Sequence, residues 1–350
     1  MERKDQGLAF LLRYENVAWY EDGKVRILDR RVYPTKVEFV ICHTHEEVAQ
    51  AIKDMVTQSA GPYTAAGMGM ALAAYECKNM NKEDMWEYLK KAAYTLSNAR
   101  PTTASRMKKV TEGCLKVAKI AMEEGKRVDE AIFNRTIDSL NRRYSTMEKV
   151  AEYLVDLFPD GAHILTQCFG ETIVGMALRV CQKRNKTIKL FVPETRPYFQ
   201  GARLTASVSQ DMGFDTTVIT DNMPAYTMVT KKIDLFTSAA DAICIDGHVV
   251  NKIGTYQIAI VAKYHGVPYF VTGIPDREYE SISQVTIEER DPNLVLEARG
   301  IRNTMEGVKG YYPSFDITPP HLVSGIVTDK GIFTPYNINK YFETEVNEFY

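Results

Sequence analysis

The sequence predicts an α/β chain in two parts: a small N-terminal β element plus helical domain over residues 1–158, then a doubly wound parallel sheet over residues 159–350. Three observations predict it. Near residue 20, apolar, turn and apolar tetrads follow one another, the pattern of a hairpin. From residue 44 apolar residues recur at helical spacing. After Phe158-Pro159-Asp160-Gly161, short apolar runs alternate with helix-length amphipathic segments, and that alternation makes βαβ units and a parallel sheet.

The elements follow in order. Val17-Ala18-Trp19-Tyr20, Glu21-Asp22-Gly23-Lys24 and Val25-Arg26-Ile27-Leu28 supply strand, turn and strand. Thr44-His45-Glu46-Glu47 resembles a capping box, and Val48, Ile52 and Met55 follow at helical spacing. Helical patterns continue through 64–77, 81–97, 102–124 and 127–157. In the second part the apolar runs are Ile164-Leu165-Thr166, Ile188-Lys189-Leu190-Phe191-Val192, Thr217-Val218-Ile219, Ala242-Ile243-Cys244-Ile245 and Tyr269-Phe270-Val271.

Bulk composition excludes several classes. Lys+Arg 43 against Asp+Glu 45 gives a net charge of −2, which argues against a general nucleic-acid binder or an anionic-membrane binder. The start lacks the apolar core of a signal peptide, and no run has the length of a spanning helix. Cys42, Cys77, Cys114, Cys168, Cys181 and Cys244 are scattered without CxxC spacing, against a disulfide framework or a structural zinc site. The expected compartment is the cytoplasm.

Ligands of doubly wound sheets bind beyond the carboxyl ends of the strands. There the chain carries Gln167-Cys168, Glu194-Thr195-Arg196, Gln200-Gly201-Ala202-Arg203, Thr220-Asp221-Asn222, Asp241, Asn251-Lys252 and Thr272-Gly273. A thiol, a carboxylate, amides, basic side chains and helix N-termini together suit a small phosphorylated ligand. Each signal alone has an ordinary explanation. A Cys after a strand is more often a buried structural residue. Gly67-Met68-Gly69 has no preceding strand and is read as close helix packing. His43 and His45 are read as a solvated pair at a helix start, and Lys108-Lys109 and Arg142-Arg143 as solvated helix faces.

Several ordered runs cover nearly the whole chain: Glu194-Thr195-Arg196-Pro197, Gln200-Gly201-Ala202-Arg203-Leu204-Thr205, Thr220-Asp221-Asn222-Met223, Asn251-Lys252-Ile253-Gly254-Thr255-Tyr256, Ile287-Glu288-Glu289-Arg290 and Pro313-Ser314-Phe315-Asp316-Ile317-Thr318-Pro319. With Ile27-Leu28-Asp29 and Arg100-Pro101-Thr102, they resemble the family of methylthioribose-1-phosphate isomerase, ribose-1,5-bisphosphate isomerase and the regulatory subunits of the translation-initiation exchange factor. The resemblance implies a Rossmann-like second domain, a catalytic Cys168 and a catalytic Asp241. It implies substrate binding by Arg100, Gln200, Asn251 and Lys252, and by Ser59 and Ala60, where the family has Arg-Gly-Ala and this chain has Gln58-Ser59-Ala60. The implied ligand is a small sugar phosphate, with no metal, no cofactor, no nucleic acid, no membrane, and a homodimer as the assembly.

Other departures surround the same pair: Gln167-Cys168-Phe169-Gly170-Glu171 and Ala239-Ala240-Asp241-Ala242 differ from the family's usual runs. They point to the same reaction type on a modified substrate. The expected activity is aldose–ketose isomerisation of a 5-substituted ribose 1-phosphate, such as methylthioribose 1-phosphate or 5-deoxyribose 1-phosphate. The alanines beside Asp241 lead us to expect an apolar enclosure for that carboxyl. A non-catalytic sugar-phosphate sensor or scaffold subunit is the alternative from another class. A nicotinamide dehydrogenase lacks its glycine fingerprint, because Cys168-Phe169-Gly170-Glu171-Thr172-Ile173 does not supply one.

Overall fold

The structure, a computed structural model, describes residues 3–100 and 104–343. Two compact units lie within Met1–Thr146 and Met147–Asn347. That division falls inside the helix Val128–Asp156, whereas the sequence pattern changes at its end.

In the first unit a short helix α1 (Tyr14–Val17) leads into strands β1 (Ala18–Glu21), β2 (Lys24–Leu28) and β3 (Phe39–Cys42), an antiparallel sheet in the order β1-β2-β3. Asp22 and Gly23 turn the hairpin with φ of 49° and 72°. Two successive left-handed residues match the twist of the strands, and Asp-Gly is the pair that adopts them at least cost.

Helices α2 (His45–Lys53), α3 (Gly61–Glu76), α4 (Lys82–Ser97), α5 (Ala104–Glu124) and α6 (Val128–Asp156) follow. Thr44 caps α2 by accepting from the Glu47 N–H, as its sequence position predicts. Every residue of α3 from Gly61 to Ala74 is buried, because this helix is apolar all round. A Cβ on Gly67 would stand 2.7 Å from Thr136, and one on Gly69 2.9 Å from Leu96. Close packing therefore accounts for the glycine pair, as its helical setting implies.

The second unit is built on a seven-stranded sheet. Its elements are β4 (Ala162–Leu165), α7 (Glu171–Lys183), β5 (Ile188–Pro193), α8 (Ala206–Asp211), β6 (Asp215–Ile219), α9 (Pro224–Lys231), β7 (Leu235–Ala239), α10 (Thr255–His265) and β10 (Tyr269–Thr272), with β14 (Gly325–Thr328) and β15 (Gly331–Phe333) closing one edge. The order is β15-β14-β10-β7-β4-β5-β6. Only the β14–β15 pair is antiparallel. Strand order runs outward from β4 to β6, then restarts at β7 on the other side of β4. That is a doubly wound sheet, as predicted, with its switch point between β4 and β7.

Two smaller pieces complete the unit. Strands β8 (Ala242–Ile243), β9 (Val249–Lys252) and β13 (Phe315–Thr318) form an antiparallel sheet in the order β13-β9-β8. A short helix α11 (Asn293–Leu296) precedes the ribbon β11 (Glu297–Ala298) and β12 (Ile301–Arg302). Leu165, Phe236, Val271 and Ile326, from four neighbouring strands, share one core with Ile258 and Ala259 of α10.

Among the described residues no helix is long and apolar enough to cross a membrane. Where β5 ends, one π-helical turn (Gly201–Thr205) passes so closely that a Cβ on Gly201 would stand 1.8 Å from the Pro193 carbonyl oxygen. Backbone cannot yield as a side-chain tip can. Gly201→Ala should therefore cost about 1–3 kcal/mol, read as a lower midpoint in urea unfolding; an unchanged midpoint would refute the close approach.

Candidate active site

The switch point sets two loops side by side. Leu165, the last residue of β4, pairs with Phe236 of β7, and β7 runs three residues further, to Ala239. Cys168 lies three residues beyond the end of β4, and Asp241 two residues beyond the end of β7. The thiol feels the charges of both Lys252 and Asp241, which places these three groups in one electrostatic neighbourhood.

Cys168 has φ of 58°, a conformation that ordinary side chains rarely adopt, and its carbonyl accepts from Thr205 Oγ1 at 2.5 Å. Burial pushes its thiol up to about 11; Lys252 opposes that shift and Asp241 adds to it. An apolar cavity opens beside it, lined by Leu154, Phe158, Ile173, Val174 and Leu178 together with Ser238. The other five cysteines are fully buried, while Cys168 is half-buried.

Asp241 is exposed, and its N–H donates to the Val250 carbonyl at 2.8 Å. The expected apolar enclosure is therefore not formed. Ala242 and Ile243 are buried in β8, where successive side chains point to opposite faces, so burial of the neighbours does not enclose the carboxyl.

Asn251 and Lys252 are both buried at the end of β9. Asn251 Nδ2 donates to Thr255 Oγ1 at 3.0 Å, and Lys252 Nζ lies 4.4 Å from the centre of the Phe315 ring. Gln200 is buried just before the π-helical turn, and its Oε1 has no hydrogen-bond partner among the described residues. Gln167 Nε2 donates to the Ile253 carbonyl, tying the β4 loop to the β9 loop.

Asp316 was not singled out by the sequence, although its motif was. Its carboxylate accepts from Gly254 N–H at 2.7 Å and from Tyr256 N–H at 3.1 Å, which occupies the N-terminus of α10. Burial outweighs these bonds and raises it to about 6. Glu171 likewise lies fully buried in the first turn of α7. The N-terminus of α10 thus already holds one of the chain's own carboxyl groups.

Within the first unit, Arg100 is buried, Ser59 is exposed with φ of 58°, and Ala60 precedes α3. Two arginines hold this turn. Arg30, fully buried, donates through Nη1 to the Gln58 carbonyl at 2.6 Å. Arg143 donates to the Ala60 carbonyl and to Thr64 Oγ1, both at 3.3 Å. Arg143 is therefore buried, not part of a solvated face; an adjacent-arginine pattern cannot show a carbonyl partner 83 positions away.

His45 is a second correction. It is 2% exposed, and its Nδ1 bonds Glu76 at 2.7 Å. With Glu46 it forms a His-Glu-Glu group whose ligand atoms lie within 4.8 Å of one another. Helix packing supplied Glu76, which no local spacing reveals. His43 remains exposed.

A model described as the initiation factor 2 subunit family matches residues 58–335. The chain belongs to that family. The methylthioribose-1-phosphate isomerase of Caldicellulosiruptor saccharolyticus is 34% identical over 91% of this chain and 96% of its own length. The crystal structure of 5-methylthioribose 1-phosphate isomerase from Pyrococcus horikoshii OT3 superposes with a TM-score of 0.81 at 30% identity, covering 95% of this chain and 98% of that one. Subunit delta of the translation initiation factor eIF-2B from A. fulgidus gives 0.80 at 32% identity, covering 94% and 99%. The family thus spans proteins named as enzymes and as initiation-factor subunits.

Two pH experiments follow from these environments. At pH 8 Cys168 should react with iodoacetamide on the order of a hundredfold more slowly than a solvent-exposed thiol, followed by mass spectrometry of its peptide. Lys252→Met should slow it further and Asp241→Asn should speed it; a midpoint near 8.5 in the wild type would contradict the burial argument. For Asp316 the folded value of about 6 stands above the ordinary 3.8. Its contribution is therefore complete below pH 4 and lost, by about 3 kcal/mol, as the pH rises through 6. Unfolding free energies of wild type and Asp316→Asn between pH 4 and 7 should diverge by that amount, and parallel curves would refute it.

Proposed function

We propose that the chain isomerises a 5-substituted ribose 1-phosphate, such as methylthioribose 1-phosphate or its 5-deoxy analogue, to the corresponding ribulose 1-phosphate, with Cys168 and Asp241 at the reacting carbons. The observation that supports this most is a thiol and a carboxyl flanking the switch point from adjacent strands. Relatives named as methylthioribose-1-phosphate isomerase over almost their whole length support the reaction class.

An anomeric phosphate prevents the sugar ring from opening on its own. In this reading Asp241 gives its proton to the ring oxygen as the C1–O bond breaks, leaving an electron-poor C1 that keeps its phosphate. Hydrogen then passes from C2 to C1, the C2 hydroxyl becomes a carbonyl, and its proton returns to Asp241. A solvent-facing carboxyl suits such exchange. Burial keeps the Cys168 thiol protonated at neutral pH, and a neutral thiol is a poor base. That favours hydride passage from C2 to C1, with the neutral Cys168 thiol stabilising the transition state beside the migrating hydrogen. Gln200, Asn251 and Lys252 would orient the sugar phosphate.

The similarity to an initiation-factor subunit supports a second reading, a sugar-phosphate sensor without turnover. A panel of 5-substituted ribose 1-phosphates separates the two. Cys168→Ser and Asp241→Asn should each lower kcat by about a hundredfold or more, and substrate deuterated at C2 should keep its label in ordinary water. Full activity in both variants would refute the pair; thermal stabilisation by the panel without product would favour the sensor.

A further inference from the structure

A threonine or serine inside a helix ordinarily turns its hydroxyl back onto the carbonyl four residues earlier. Thr136, Ser207 and Thr230 do so here, on the carbonyls of Ile132, Arg203 and Tyr226. Thr205 does not. It is fully buried, and its Oγ1 donates to the Cys168 carbonyl, 37 positions away, at 2.5 Å. The local reason is the π-helical turn (Gly201–Thr205), in which the Gly201 carbonyl, four residues before Thr205, accepts from the Ala206 N–H. The extra residue of such a turn swings side chains out of α-helical register, and here it frees one hydroxyl for a tertiary bond.

The turn is itself pinned to the end of β5. Phe199 N–H donates to the Thr195 carbonyl at 2.7 Å, Arg203 N–H donates to the Phe199 carbonyl at 2.8 Å, and Gly201 lies against the Pro193 carbonyl. A hydroxyl carried by this turn is therefore a fixed point in the second unit. What it holds is a peptide plane. The Cys168 carbonyl and the Phe169 N–H belong to one planar unit and point opposite ways, and the Phe169 N–H bonds the Cys168 sulfur. Gripping the carbonyl edge thus sets where the N–H edge points, and with it the seat of the sulfur. The same grip keeps Cys168 at φ of 58°, a region that a residue with a Cβ leaves when released.

We propose that Thr205 is a positioning residue for Cys168: its hydroxyl, acting through the Cys168–Phe169 peptide plane, aims the thiol at the sugar carbons. The role needs a donor and not merely bulk, because only a donor fixes the rotation of the plane. Gln167, one residue earlier, is tied separately through its Nε2 to the Ile253 carbonyl. Loss of the Thr205 hydroxyl therefore turns the thiol without freeing the whole loop.

This inference rests on Cys168 acting in the isomerisation, so one of its two readouts on the full chain is independent of turnover. Thr205→Val keeps the volume and removes the donor. It should lower kcat about tenfold or more, while KM for the sugar 1-phosphate stays within about twofold. It should also slow alkylation of Cys168 by iodoacetamide at pH 8 about threefold, since the sulfur loses its N–H donor. Thr205→Ser should recover most of both. Circular dichroism checks folding; if Thr205→Val does not fold, Thr205→Ala, which loses the hydroxyl without setting a methyl against the carbonyl, carries the test. A folded variant without the hydroxyl that alkylates at the wild-type rate or faster, or that keeps full kcat, overturns the role. So does a Thr205→Ser as impaired as Thr205→Val, which would make the role one of packing. Slowed alkylation in a chain that turns over no sugar phosphate keeps Thr205 as the anchor of the thiol and overturns the isomerase.

Discussion

The arrangement depends on one constraint, the reversal of strand order at β4. Because β5 and β7 both pair with β4, the connections leaving β4 and β7 depart toward opposite faces of the sheet, and no helix can cover the gap between them. The chain must leave a cleft there. Cys168 and Asp241 lie on the loops that leave these two strands, and their separation in sequence is a consequence of how many elements the winding needs before it returns. Parallel pairing also fixes their offset, since Leu165 and Phe236 are in register and β7 runs three residues further.

The same apolar walls that close the sheet govern the electrostatics. Burial keeps the Cys168 thiol neutral against the pull of Lys252, and keeps Asp316 partly protonated although two helix N–H groups bond it. In both cases desolvation wins over a favourable partner, because the partner is one charge or dipole while the wall surrounds the group. Asp241 lies outside that wall, exposed to solvent. Cys168, half-buried beside an apolar cavity, and Asp241, exposed, thus sit in different surroundings.

Local pattern carried the fold. Asp22-Gly23 announced its hairpin, Thr44 its helix, and the shift from period 3.6 to short apolar runs announced the change of unit, because each depends on residues within a few positions of one another. The strand-end rule marked Cys168 and Asp241 as neighbours of a cleft, but resemblance was needed to prefer them over other polar residues there. Long-range partners stayed hidden. Arg30 on the Gln58 carbonyl spans 28 positions and His45 on Glu76 spans 31, and Arg143 reads as a surface residue until α6 packs beside the turn before α3. Asp316 and Thr205 both lay in quoted motifs, yet a motif does not say which of its side chains faces inward.

Backbone conformation distinguishes Cys168 from an ordinary buried cysteine. Of the six cysteines it is the one with positive φ, a state costing roughly 1–2 kcal/mol for a residue with a Cβ. Thr195, at the end of the neighbouring strand β5, has φ of 64°, although a β-branched side chain resists that region more. Both are held from outside. Thr205 Oγ1 binds the Cys168 carbonyl, and the Asp221 carboxylate accepts from Thr195 N–H and Arg196 N–H at 2.7 Å each. A structural cysteine gains nothing from such a turn, since a relaxed strand end buries sulfur equally well. Strain that several tertiary bonds maintain at two adjacent strand ends implies that the direction of the side chains there is what the fold preserves.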